Sequence, residues 1–365
     1  MVHAESGGWA ADAVRELCAD ADPTPLVRLV GPPGELYVKD ESAHPSGTLK
    51  HRLVRALLCE AVLDGAVREG TTVVMGSGGP AAVAGAYCAR RAGLPFVALV
   101  PATTSPAVRE SVERYGGRWR IASVPADMQD EASGLADKIG GHFLDHFADS
   151  ERAIARCPLP DLAEELYGQL AEAGAANPAW LVAGLGTGTT TATLGRYARR
   201  RCGPGTRVAG VDAEHSAYFP AWASGCADYT TGLPSPIPGI GRPRTEPAFR
   251  PELLDLVIPV AEDAAADGLR WLRAQTANGK NGSGNGNGEG TGTLAVTLTG
   301  AGKGKGKGNG RGSAGWGGGG LATGAVGWAV RHLLTRMRES AAPGSVVMVT
   351  GERAARSRSA AGLQA

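Results

Sequence analysis

From Thr71 onward, short runs of β-branched and apolar residues alternate with longer amphipathic stretches. "TTVVM" (71–75) predicts a strand, and "PAAVAGAYCARRAG" (80–93) a helix that opens on proline and stops at glycine. "PFVALVP" (95–101) is the next strand, "SPAVRESVERYGG" (105–117) the next helix and "RWRIASV" (118–124) a further strand. The alternation resumes with "AWLVAGLG" (179–186), "TTTATLGRYARRRCG" (189–203) and "TRVAGVDA" (206–213), and "GSVVMVTG" (344–351) closes it. Strands that are apolar throughout and separated by helices predict an α/β fold with mainly parallel sheets covered on both faces. They fall into two groups, 71–125 and 179–260, so two doubly wound lobes with a cleft between them are expected. Ligands of open α/β sheets sit at the carboxyl ends of strands, which directs attention to the loops after Met75 and Leu185.

The order breaks between Asn278 and Gly320, where much of the excess in the 55 glycines lies. "NGKNGSGNGNGEGTG" and "GKGKGKGNGRGSAGWGGGG" flank a single apolar run, "TLAVTLT" (293–299). Glycine at this density cannot offset the entropy of ordering its backbone, so both flanks are expected to be mobile, and a solvated linker is favoured over a phosphate-binding tail. Elsewhere the composition narrows the partners. Lysine plus arginine (37) nearly balances aspartate plus glutamate (36), which gives no reason to expect nucleic acid. Six scattered cysteines form no CxxC pair, which argues against a zinc site or a disulfide framework and fits a reducing cytoplasm. No apolar run approaches membrane-spanning length and the first residues carry no signal-like core, so no membrane partner and a cytoplasmic location are expected.

Four places carry candidate chemistry. From Thr48 the chain reads "TLKHRLVRALLCEAVLDGAV", a helical pattern in which Lys50 shares a face with Val54, Leu57 and Ala61. Ser46 or Thr48 can cap this helix. Apolar surroundings and the positive end of the macrodipole would both lower the lysine's pKa, toward the neutral amine that Schiff-base chemistry needs. Taken alone, a lysine that snorkels to solvent is the stronger reading. "GLGTGTTTATLGRYARR" (184–200) follows a strand and opens a helix, and Gly186, Thr187, Gly188, Thr189 and Thr190 offer N–H groups and hydroxyls suited to a phosphate. It fits neither a Walker A loop nor G-x-G-x-x-G, and read alone it is equally a structural turn. "MGSGGPAAVAG" (75–85) is a second glycine-rich turn, suited to a carboxylate or merely to a tight connection. In "LATGAVGWAVRHLL" (321–334), Thr323 reads as an ordinary N-cap unless a ligand reaches it, and His215 in "VDAEHSAYFPAW" (211–222) as a structural hydrogen-bonder. No HExxH, CxxC or close His/Asp cluster suggests a metal, and no G-x-S-x-G elbow a serine hydrolase.

Their order along the chain is more specific than any one of them. "TPLVRL" (24–29), "YVKDESAHPSGTLKHR" (37–52), "GSGGPAAVAGAYCARRAGLPFVALVP" (76–101), "GLGTGTT" (184–190) and "ATGA" (322–325) together resemble the cysteine synthase family. These are the fold type II pyridoxal-phosphate enzymes, also called the tryptophan synthase β family. The likeness is greatest to the cysteine synthase-like and cysteine desulfhydrase branch, which also carries segments similar to "VDAEHSAYFPAW" and "GIGRPRTEPAFRPELLD" (239–255). The resemblance implies a cofactor cleft between a smaller lobe, 36–158, and a larger one, 1–35 with 159–278 and 321–356, interrupted by an insertion at 279–320. It implies that Lys50 forms the internal aldimine with pyridoxal 5′-phosphate and that Gly186, Thr187, Gly188, Thr189 and Thr190 hold the phosphate. Ser77, Gly78 and Gly79 would grip the substrate carboxylate and Thr323 would meet the pyridine nitrogen. A hydroxyl at that nitrogen leaves the electron sink weak, which favours loss of a β-substituent to an aminoacrylate over transamination. The implied activity is β-elimination or β-replacement on L-cysteine, O-acetylserine or a similar β-substituted alanine, in a homodimer.

The chain departs from the family at Gly79 and Pro80, where most members have an Asn, Ser or Thr pair, and in its C-terminal "VTGERAARSRSAAGLQA". These departures motivate an alternative, a catalytically impaired binding module that keeps the cofactor fold.

Overall fold

The computed structural model describes residues 7–29, 34–278, 295–298 and 320–351. The glycine-rich stretches on either side of 295–298, expected to be mobile, and the altered residues after Gly351 lie outside the described residues. Along the chain the elements are α1 (Gly7–Cys18), β1 (Leu26–Leu29), β2 (Glu35–Asp40), α2 (Lys50–Leu63), β3 (Val73–Gly76), α3 (Pro80–Arg91) and β4 (Phe96–Val100). Next come α4 (Pro106–Arg114), β5 (Arg118–Ile121), α5 (Met128–Ile139), β6 (His142–Phe143), α6 (Ser150–Arg156), α7 (Leu162–Glu172) and β7 (Trp180–Gly184). The series ends with α8 (Thr189–Tyr197), β8 (Arg207–Ala213), α9 (Tyr218–Ser224), β9 (Leu256–Val260), α10 (Glu262–Asn278), β10 (Ala295–Leu298), α11 (Leu321–Glu339) and β11 (Ser345–Thr350). None of the described helices is long and apolar enough to cross a membrane.

Two sheets form among the described residues. One is wholly parallel, in the order β5-β4-β3-β6; the other has the order β10-β1-β2-β11-β7-β8-β9 and is parallel from β2 onward. Between Ser345 and Thr350 the central strand β11 is apolar, as is β7, because both faces are covered. Val182, Val346 and Met348 point into one core with α11, whereas Leu181, Ala183, Val347 and Val349 point into the opposite core with α7 and α8. The apolar run at 293–299 supplies β10, which pairs antiparallel with β1 and lengthens that sheet.

Sheet membership corrects the expected boundary between 35 and 36. β2 pairs with β1 and β11 inside the larger sheet, although 36–158 was expected to form the smaller lobe. The reason is in its side chains: Leu36 and Val38 fill one core and Tyr37 the other, so the strand needs cover on both faces. Conversely, α1 packs on α2 and α3, with Ala13 and Leu17 buried in the core over the four-stranded sheet.

Candidate active site

α2 places Lys50 in its first turn, half-buried. Neither hydroxyl the sequence offered as a cap stands at the N-cap, which is Leu49; Thr48, one residue earlier, accepts from the Lys50 N–H at 3.2 Å through Oγ1, while Ser46 Oγ pairs with His51 Nδ1 at 3.1 Å. The helix start is tied down by the Leu49 N–H, which donates to the Gly351 carbonyl at 2.9 Å. The expected single apolar stripe is an understatement. Every residue from His51 to Val62 is buried, because α1, α3 and α6 all pack on α2.

The glycine-threonine turn leaves β7 and opens α8, and it meets Lys50 directly. A Cβ built on Gly186 would lie 3.5 Å from Lys50 Nζ and 2.5 Å from the Gly239 carbonyl oxygen, so only glycine leaves this space for a ligand beside the amine. Gly188 stands at φ +90° as the N-cap of α8 with no side chain capping the helix. Apart from the Thr189 N–H, which donates to Thr187 Oγ1 at 3.4 Å, the first-turn N–H donors are thereby left to an anion. Thr187 Oγ1 and Thr189 Oγ1 pair at 2.9 Å, and a solvent-open pocket is lined by Lys50, Thr187, Thr189 and Thr190 together with Cys157 and Asp161. Tyr218, in the segment where the sequence drew attention to His215, reaches back and donates to the Gly186 carbonyl at 2.5 Å; His215 itself is exposed.

Ser77, Gly78 and Gly79 do not line that cavity. They follow β3, with the Ser77 N–H donating to the Leu99 carbonyl, and they open α3 at Gly79, again with no side-chain cap. A Cβ on Gly79 would meet nothing within 4 Å. Thr323 is not an N-cap: α11 begins at Leu321, Thr323 is only 2 % exposed, and its Oγ1 has no hydrogen-bond partner. A buried hydroxyl left unpaired costs about 1–3 kcal/mol, a cost that a ligand acceptor would remove. Among the described residues no group of three or more His, Cys, Asp or Glu is placed to hold a metal.

One site residue gave no sequence signal. His146, 4 % exposed in the loop after β6, leaves Nδ1 unpartnered. Burial, aided by the Lys50 and Arg242 charges, pushes it down to about 3. Burial likewise holds His51, which stacks on His44 at 4.6 Å, down at about 2. Asp212 moves the other way. Burial lifts it to about 6 despite hydrogen bonds from Ser216 and from the N–H groups of Phe219 and Ala213, which set the Tyr218 loop.

These shifts fix a pH dependence. Both histidines stay neutral in the native protein and would protonate near 6.5 once unfolded, so the stability they confer is complete above pH 6.5 and is lost as the pH falls. Asp212 binds its proton first in the native state, so its contribution is complete below about pH 4 and is lost as the pH rises through about 6. For these three groups alone, two histidines against one carboxyl leave a net loss of roughly 2–3 kcal/mol between pH 7 and pH 5. Urea midpoints at the two pH values measure it, and His146→Gln should flatten the slope. A midpoint that does not move would contradict this account.

Comparison with known proteins follows the same lines. Residues 19–277 match the family described as pyridoxal-phosphate dependent enzyme. The L-cysteine desulfhydrase Cds1 of Mycobacterium tuberculosis is 40% identical over 283 residues, covering 75% of this chain and 77% of that protein. Cysteine synthase B of Pseudomonas aeruginosa is 27% identical over 265 residues, 68% of this chain and 78% of its own. Among solved structures, O-ureido-L-serine synthase superposes with a TM-score of 0.68 at 22% identity, covering 92% of this chain and 90% of that one. The O-acetylserine dependent cystathionine beta-synthase from Helicobacter pylori gives 0.67 at 19% identity, covering 96% of both chains.

Proposed function

The chain belongs to the pyridoxal-phosphate dependent enzyme family and is cysteine synthase-like, with pyridoxal phosphate as its cofactor, and on that premise we propose that it catalyses β-elimination from L-cysteine. O-acetylserine and similar β-substituted alanines fall within the same chemistry, with elimination or replacement decided by whether water or a thiol follows. The observation that carries the reading is the placement of Lys50 Nζ against the Gly186 turn at the uncapped start of α8. It puts an amine beside an anion cup.

When bound, the cofactor supplies an electron sink that allows a Cα proton and a β-substituent to leave. The chain's own residues do the rest. Thr187, Gly188, Thr189 and Thr190 hold the phosphate, and Lys50 anchors the aldehyde and then carries the Cα proton. Ser77, Gly78 and Gly79, at the uncapped start of α3, take the substrate carboxylate. The Thr323 hydroxyl is the uncharged partner of the ring nitrogen. Thr323→Val should therefore split two measurements. The apoprotein should melt higher, because an unpaired buried hydroxyl is gone, while cofactor affinity should fall about tenfold. Equal shifts in both states would remove Thr323 from the site.

The deciding experiment is the visible absorbance of the purified holoprotein before and after L-cysteine or O-acetylserine, with sulfide, pyruvate and thioether quantified against free pyridoxal phosphate. A spectral response with product above that background supports an enzyme. A catalytically silent binding module is the second reading, favoured by the space at Gly79 where no side chain stands in for a polar one; a cofactor-bound protein without product would establish it. A homodimer and a cytoplasmic location complete the proposal, the first on the resemblance alone and the second in keeping with six unpaired thiols. Sedimentation of the holoprotein tests the dimer.

A further inference from the structure

The polar side of α2 buries an ionic cluster that the reading above leaves without a task. Arg52 donates from Nε to Glu41 Oε2 at 2.7 Å and from Nη2 to Glu41 Oε1 at 3.0 Å and Glu165 Oε2 at 2.8 Å. Lys39, wholly buried on β2, donates to Glu165, to Gln169 Oε1 at 2.8 Å and to the Thr24 carbonyl at 2.7 Å. Thr24 Oγ1 donates to Glu41 at 2.5 Å, and His44 Nε2 lies 3.1 Å from Glu41 Oε2. Two cations and two carboxylates balance. Burial raises Glu165 and Glu41, yet Arg52, with Lys39 at Glu165 and His44 at Glu41, overrides it and holds both below their ordinary values.

The connectivity gives this cluster a direction. Arg52 lies two residues from Lys50 on α2, which covers the four-stranded sheet. Glu165 lies on α7, which packs Leu166 and Leu170 into the same core as Leu194 of α8. The start of α8 is the anion cup. α7 therefore touches both partners of the site: its apolar face sets α8, and Glu165 grips the helix that carries Lys50. For stability alone, apolar residues of like volume would serve as well or better than buried ion pairs. A fork of fixed geometry instead sets register.

We propose that Glu165 is a positioning residue: through Arg52 and Lys39 it fixes Lys50 at the distance from the Gly186–Thr190 turn that joint binding of aldehyde and phosphate requires. The proposal rests on Lys50 being the cofactor anchor. Glu165→Gln keeps the shape and leaves the cluster with one excess positive charge. Apoprotein titrated with pyridoxal phosphate should then bind about tenfold more weakly, with a displaced pH midpoint of the visible band and an unchanged far-ultraviolet dichroism. Adding Lys39→Met restores the charge balance and should bring affinity back to within about threefold of the parent. Arg52→Lys, which keeps the charge and loses the fork, tests the same joint if Glu165→Gln does not fold, with the same expected loss. A lower melting temperature with parental affinity and band, in Glu165→Gln or in Arg52→Lys, overturns the proposal. So does a double variant no better than the single one. A parent protein whose cofactor is not fixed to Lys50 by borohydride sinks the functional reading instead, which keeps the two failures apart.

Discussion

Lys50→Ala is expected to abolish covalent fixation of pyridoxal phosphate by borohydride and to lower turnover of L-cysteine by about 10³-fold, because anchor and proton carrier are lost together. The described residues contain two other lysines, and neither can substitute. Lys39 is wholly buried with its ammonium committed to Glu165, Gln169 and the Thr24 carbonyl. Lys138 stands exposed in the last turn of α5. Lys50 alone of the three lies against the Gly186 turn. Peptide mapping after reduction checks the prediction, and a labelled peptide that persists in Lys50→Ala would remove Lys50 from the mechanism.

Gly188→Ala is expected to cost about 2–4 kcal/mol of stability and to weaken phosphate binding roughly 10- to 100-fold. The residue holds φ +90°, which an L side chain resists. Its Cβ would lie 2.6 Å from the Ala248 carbonyl oxygen and 2.7 Å from the Phe249 nitrogen. Both are backbone atoms and cannot rotate aside, so the turn itself must move, and with it the N–H groups at the start of α8. Gly79→Ala is the matched control. It has φ −138° and open space, and should shift stability by no more than about 0.5 kcal/mol. Thermal melts of both apoproteins, with phosphate titrations, decide it; a Gly188→Ala protein that matches Gly79→Ala would refute the strained cup.

Much of this was legible along the chain because it is local. Runs such as "WLVAG" and "VVMV" are apolar at every position, and a strand with no polar face has to lie inside a sheet covered on both sides. The glycine-threonine turn after β7 and the lysine at the start of α2 are likewise short patterns whose chemistry follows from a few neighbouring residues. What the sequence could not rank was their meaning, since a snorkelling lysine and a structural turn use the same letters.

The tertiary structure decided three matters. It set Lys50 Nζ beside Gly186, across more than a hundred residues of chain, so that amine and anion cup became one site. It moved β2 into the larger sheet, since Tyr37 and its neighbours Leu36 and Val38 need cover on opposite faces. And it gathered Arg52, Glu41 and Lys39, with Glu165 from far along the chain, into a buried cluster under α2. The reason is common to all three. Periodicity reports which residues shun water within one element, while the pairing of buried charges and the distance between two loops depend on which elements meet, and that is settled only when the sheets are assembled.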